Sequence, residues 1–430
     1  MEMRQEEEDT ASCETLYPYR SGDEYGYIDA EGGVVLPAQW AFADVFYGGY
    51  AIAGNADKYG KGIIDRAGEY VVLPEYQIEY QNGLFVVRQD NGSRDLFGFY
   101  CPSEGLFLPP AYDYIDHHHA SADADLIFTN QIVDQDAPAG AFAYKVGYIH
   151  KETGHVQIPF IYDEPADQAQ FQNGYAIVAQ AYGADDYGYE LKFLLIDEDG
   201  VAVRFPEYVQ VYVDAFHGIS ENTVIVQDKS TGLFGFATTE GTILCEPAFD
   251  SVSSFSEGYA AVSINGCWGH IDRRGEYAVS PRYRLCDEDG LMGGYQFKNG
   301  IALLHTPDGY MGIRANGEVL FAGFQADDIM PFSRDGFAFF QTHRKWGVLD
   351  ASGAVIQPAQ WDEITLEDAG TGLFPARMQD AWGYIDEKGV PVIGVQFDSA
   401  APFLGGLAQV TEKGRMMYID ASGSLIWIED

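Results

Sequence analysis

Positive charge is scarce in this chain: Lys and Arg total 25 against 66 Asp and Glu, a formal net charge of −41. Nucleic-acid phosphates and anionic lipid heads repel such a surface, so neither nucleic acid nor membrane is expected as a partner. The same charge favours solubility and, where a partner exists, a basic one. Cysteine is also sparse. Cys13, Cys101, Cys245, Cys267 and Cys286 are odd in number, irregularly spaced and lack a CxxC pair. That argues against a disulfide framework or a zinc site and suits free thiols in a reducing compartment. No run approaches the ~18 apolar residues of a membrane span. Residues 1–9 read Met-Glu-Met-Arg-Gln-Glu-Glu-Glu-Asp, without the basic start and apolar run of a secretory signal, so a cytoplasmic location is expected.

Catalytic signatures are missing too. There is no nucleophile elbow, P-loop, HExxH or dinucleotide fingerprint. Carboxylates are so abundant that no two stand out as general acid and base. No catalytic, cofactor-binding or metal-binding residue is therefore assigned, no cofactor is expected, and the chain is read as not an enzyme. What is abundant is the material of strands and turns: 29 Tyr, 27 Phe and 49 Gly, with only 21% charged residues, which excludes disorder.

One short pattern recurs: an aromatic or apolar residue, Gly, two mostly apolar residues, Asp, two variable residues, Gly. It appears as Tyr25-Gly26-Tyr27-Ile28-Asp29 with Gly32, and as Trp268-Gly269-His270-Ile271-Asp272 with Gly275. Trp346 to Gly353 and Trp382 to Gly389 repeat it, and weaker copies centre on Gly62, Gly98, Gly147, Leu194, Gly235, Gly312 and Met417. Eleven copies at intervals of 34 to 49 residues imply a unit of about 35 residues with insertions. Asp at the first position of a turn can bond the turn's own backbone, and Gly at the fourth can take φ > 0, so the pattern predicts a hairpin. The return strand carries a proline, as in Val34-Val35-Leu36-Pro37 and Val355-Ile356-Gln357-Pro358, which marks a strand end or an edge. An aromatic follows, often with Asp next: Phe249-Asp250, Trp361-Asp362 and Phe397-Asp398. A third, half-buried strand such as Phe255 to Val262 closes the unit, and a short fourth is expected between the aromatic-Asp pair and that Phe.

Trp-Gly, two apolar residues, Asp, Gly, an aromatic-Asp pair and Phe-x-x-Gly-x-Ala-x-Val together resemble the WG (KWG) repeat family over residues 19–430, behind an acidic tail at 1–18. The resemblance implies repeat architecture and leaves function open. In the family Lys commonly precedes the Trp, and here Lys345 matches while Cys267 and Ala381 do not. The expected fold is all-β: about ten tandem antiparallel meanders, β-propeller-like, with an open β-solenoid as the alternative.

Each candidate site has a structural reading beside the functional one. Trp268, Trp346 and Trp382 share a position with Tyr25, Phe97, Phe234 and Val146, which points to core packing before a binding row. His117, His118 and His119, near Asp113 and Asp116, are the one imidazole cluster. Adjacent residues of a strand face opposite ways, so the three cannot all face one ion, and a polar insertion is the simpler reading. Asp197-Glu198-Asp199-Gly200 and Asp287-Glu288-Asp289-Gly290 offer oxygen ligands without EF-hand spacing. Breaks in the repeat at 114–144, 179–192 and 284–296 are expected to project as loops beside a binding face. The function these features favour is a non-catalytic scaffold for a protein or peptide, with a basic one favoured by charge. A carbohydrate-binding module is the alternative, and an enzyme on such a frame comes third.

Overall fold

A computed structural model describes residues 15–429 except 56–59, 82, 116–124, 133–143, 166–169, 186–187, 215–217, 287–294 and 367–370. The described residues contain no helix. The fold is all-β, a β-propeller-like series of small antiparallel meanders, in ten sheets among the described residues.

The seventh meander shows the plan. Strand a, Ser251–Val252, pairs with strand b, Tyr259–Ile264; b pairs with c, Cys267–Asp272; and c pairs with d, Tyr277–Tyr283. The recurrent Trp-Gly pattern is strand c, the proline-bearing segment is strand d, and the expected short fourth strand is a. The sheet therefore starts at the aromatic-Asp pair: Phe249 ends one meander and Ser251 begins the next. Eleven meanders result, because the second and third share the strand Tyr70–Gln81 within one seven-stranded sheet. Apart from that shared strand, strand d is the outermost of its sheet, and Pro37, Pro159, Pro247, Pro281 and Pro358 all lie on it. A residue with no N–H to donate is tolerated at such an edge.

Contacts divide the chain into two compact units, Met1–Ala111 with Thr365–Tyr384 and Pro391–Asp430, and Tyr112–Ile364 with Ile385–Val390. Within the second unit the core lies between successive sheets. Ala260 and Val262 of the seventh meander pack with Phe236 and Phe249 of the sixth, while Ala261 packs with Phe297 and Leu304 of the eighth. Strand b is thus buried on both faces, where the sequence suggested one. Small residues at Ala260 and Ala261 let neighbouring sheets close on each side.

Within the first unit the same packing joins the chain's ends. Tyr17 and Ile28 cluster with Leu407 and Tyr418. The Tyr17 hydroxyl donates to the Leu404 and Gly405 carbonyls at 2.9 and 2.6 Å, and that of Tyr418 to the Pro18 carbonyl at 2.9 Å. The first meander therefore docks on the eleventh.

The c–d turn behaves as its residues dictate. Asp272 Oδ1 accepts from the amides of Arg274 and Glu276 at 2.8 and 3.0 Å, and Gly275 sits at φ +75°. Asp350 and Asp420 repeat the arrangement. The turn glycine also leans on the strand d before it. A Cβ added at Gly275 would lie 3.3 Å from Cys245 Sγ, and one at Gly353 would lie 2.6 Å from Phe321 Cβ.

Candidate binding cleft

The glycine of strand c has a different task from that of the turn. In the seventh meander Trp268 opposes Tyr283, but His270 opposes Val279, so strand d bulges between them. The bulge presses on Gly269, where an added Cβ would stand 2.3 Å from the Val279 carbonyl oxygen and 2.6 Å from the Pro281 nitrogen. Gly26, Gly235 and Gly347 meet strand d in the same way, at 2.5, 2.5 and 2.7 Å from its carbonyl oxygens. Registers at Tyr25/Tyr27, Phe234/Phe236 and Trp346/Val348 carry the matching shift.

Two copies lack the glycine. In the eleventh, Met417 and Tyr418 pair one-to-one with Ile428 and Trp427, so no bulge forms at that point. In the fifth, the residue is Leu194, and strand d is missing altogether. Among the described residues that sheet has only Glu164–Pro165, Tyr175–Asp185 and Gly188–Asp197. The return segment bonds strand c at first, with the Val203 amide donating to the Leu195 carbonyl at 2.8 Å, and then departs. Tyr208, which should close strand d, is 42% exposed and donates its hydroxyl to Glu246 Oε2 at 2.7 Å.

The departure leaves a cleft of about 1290 Å³ between the fifth meander and the sixth, whose strands are Val209–Tyr212, Thr223–Asp228, Phe234–Thr238 and Ile243–Phe249. Leu191, Phe193, Val203, Phe205, Val209 and Val211 give it apolar walls. Lys192, Arg204 and Lys229 line it as well, against the carboxylates Glu207 and Asp228. Three cations to two anions is the reverse of the chain's overall balance. Asp228 is committed to its own turn. The Ser230 hydroxyl, with the amides of Thr231 and Ser230, holds its carboxyl down at about 2.

A model of the WG-containing repeat matches residues 25–59, 234–266 and 382–415. At these three places the chain carries the WG-containing repeat. No curated protein matches it by sequence. Among solved structures it is similar to a eukaryotic initiation factor, at 10% identity over 89% of this chain and 96% of that one, TM-score 0.44. It is also similar to dihydro-heme d1 dehydrogenase NirN in complex with DHE, at 10% identity over 88% and 72%, TM-score 0.34. AztD from Citrobacter koseri matches at 12% identity over 82% and 93%, TM-score 0.26. Identity this low and superposition this loose carry nothing about function.

The WG tryptophans are not uniformly core. Trp268 is buried, but Trp346 and Trp382 are only half-buried. The fully buried positions are two further along, after the glycine: Tyr27, Tyr148, Phe236, Val348 and Tyr384 are 0% exposed. The Lys that precedes the pattern pairs with the Asp of the aromatic-Asp pair, Lys345 with Asp362 and Lys145 with Asp163. Lys145 stands before Val146-Gly147 and was hidden by the missing Trp. His117 to His119, Asp116 and Asp287 to Gly290 lie outside the described residues, and Asp113 is half-buried. Asp197 is a turn residue, accepting from the amides of Asp199 and Val201. Of the three breaks in the repeat, 179–192 lengthens the b–c hairpin of the fifth meander, with Tyr182 opposite Glu190, in place of the expected loop. Most of 114–144 and of 284–296 lies outside the described residues.

Proposed function

We propose that this protein is a non-catalytic scaffold that binds a protein or peptide in the cleft between its fifth and sixth meanders. The observation that carries the proposal is the coincidence of three departures from the repeat at one place: the lengthened hairpin, Leu194 in place of glycine, and the missing strand d. Regular meanders close this edge with strand d. The apolar walls would supply affinity and the cations orientation. Two carboxylates line the cleft, and Asp228, held near 2, is too weak a base to be half of an acid–base pair. This favours binding over catalysis. Sugar binding has less support, because Tyr208 and Tyr277 are the only exposed aromatics among the residues whose burial is described, and only Tyr277 lies on a strand, in the seventh meander. A basic partner, favoured by the net charge, would be steered by the whole surface; the cleft lining itself does not select one.

A photo-crosslinking residue placed at Glu207, in the cleft, and at Val355, on the outer strand of the ninth meander, tests this. The same partner should be captured from native extract through Glu207 and not through Val355. Equal capture from both positions, or none from Glu207, would reject the cleft as the site.

A further inference from the structure

Among the described residues, strand c of the fifth meander, Gly188–Asp197, has a paired strand on one side only. Which of its backbone groups face the open side follows from the ladder. The Ala179 carbonyl accepts from the Asp163 amide, on the far side of strand b, at 2.9 Å. Ala179 opposes Phe193. Opposed residues of an antiparallel pair either bond each other or both face outward. Phe193 therefore turns its N–H and C=O to the open edge, and so does Leu191, two residues before. Leu195, two residues after, uses the same edge to accept from Val203. The regular counterpart of Phe193 is Trp268, which has Tyr283 of strand d opposite it. The fifth meander thus presents a four-stranded template with one strand missing, and an apolar cleft beside the vacancy.

We propose that an extended segment of a partner protein, with apolar side chains at alternate positions and one carboxylate, adds to this edge as the fourth strand. The proposal rests on the cleft being the binding site and specifies what fills it. Backbone bonds to Leu191 and Phe193 set the register. Alternate side chains of the added strand enter the cleft beside Phe205, Val209 and Val211, because successive residues of a strand face opposite ways. The carboxylate follows from charge complementarity. Lys192 and Arg204 pair with no carboxylate among the described residues, and Lys229 Nζ donates to the Glu207 carbonyl at 2.7 Å. Other strands d run to seven residues, as in Ile243–Phe249, which sets the length of segment the edge accepts.

A display library of random seven-residue peptides, selected on the full chain, tests the proposal. Enriched sequences should alternate apolar residues and carry Asp or Glu. Methylating the peptide nitrogens that face the edge should weaken binding at least tenfold. Arg204→Gln should weaken it severalfold while leaving the fold intact, and Phe193→Pro, which removes an edge donor, should abolish it. Peptides that bind equally well when N-methylated would overturn strand addition. So would a library that yields nothing. If a native partner is still captured through Glu207 in either case, strand addition fails and the cleft remains the binding site; if it is not, both fail. A doubled mass in solution that reverts to monomer in Phe193→Pro would assign the edge to a second copy of this chain and overturn the foreign peptide.

Discussion

The fifth and seventh meanders follow their turn glycines with return segments of one length. After Gly275 come Glu-Tyr-Ala-Val-Ser-Pro-Arg-Tyr, and after Gly200 come Val-Ala-Val-Arg-Phe-Pro-Glu-Tyr. Proline is sixth and tyrosine eighth in both. One segment becomes a strand and the other does not. The difference lies across the hairpin, where strand c offers Gly269 in the seventh meander and Leu194 in the fifth. A bulged edge strand needs an absent side chain beneath it. Once a Cβ stands there, a bulged strand d cannot form: in the eleventh meander strand d pairs at Met417 without the bulge, and in the fifth the return segment leaves, so that a packed sheet becomes an open edge with a cleft.

Placing the fifth meander's residue in the seventh should break the comparison most severely. Gly269→Leu sets a side chain against backbone at 2.3 Å and should cost about 3–5 kcal/mol, as backbone displacement in a packed core does. Urea unfolding measures this, and a loss below about 1 kcal/mol would sever the link between glycine and bulge.

The residue after the glycine gives the next largest effect. His270 is buried, its Nε2 lies 2.8 Å from the Tyr295 carbonyl oxygen, and burial pushes its imidazole down to about 4. The unfolded chain takes up that proton nearer the ordinary 6.5. The contribution of neutral His270 is therefore complete above 6.5 and is lost as pH falls from 6.5 to about 4, roughly 3 kcal/mol in all. His270→Phe should flatten the stability profile across that window. Leu195, its counterpart in the fifth meander, has no such dependence, and an unchanged profile in the variant would remove the claim.

Turn glycines should matter less than Gly269, because they meet side chains more than backbone. Gly275→Val places a β-branched residue at φ +75° beside Cys245 and should cost about 1–3 kcal/mol, read as a lower melting temperature.

Much of this was legible beforehand. The turn Asp and Gly, the edge proline, the c–d hairpin and the short fourth strand all follow from local chemistry, which acts within a few residues. The packing of Gly269 did not, because it depends on where strand d runs. Leu194 was visible as a weak copy, but its consequence was hidden for the same reason. The half-burial of Trp346 and Trp382 also escaped the sequence. An apolar position can serve a sheet's rim or its core, and only the stacking of neighbours decides which.

The smallest effect runs the comparison backwards. Leu194→Gly should let the return segment approach strand c and shift stability by less than about 1 kcal/mol, since surface segments tolerate change. Reduced proteolysis near residues 204–208 would register the closure, and unchanged cleavage would mean that more than Leu194 holds it away.

Amide hydrogen exchange at Phe193 and Trp268 tests the open edge most directly. The two residues occupy the same position in their strands, and the ladder turns both amides toward strand d. With strand d present only in the seventh meander, the Phe193 amide should exchange orders of magnitude faster than that of Trp268, and an added edge-binding peptide should slow it. Equal protection of the two amides in the free protein would show that the edge is already filled, and would contradict both the missing strand and the site built on it.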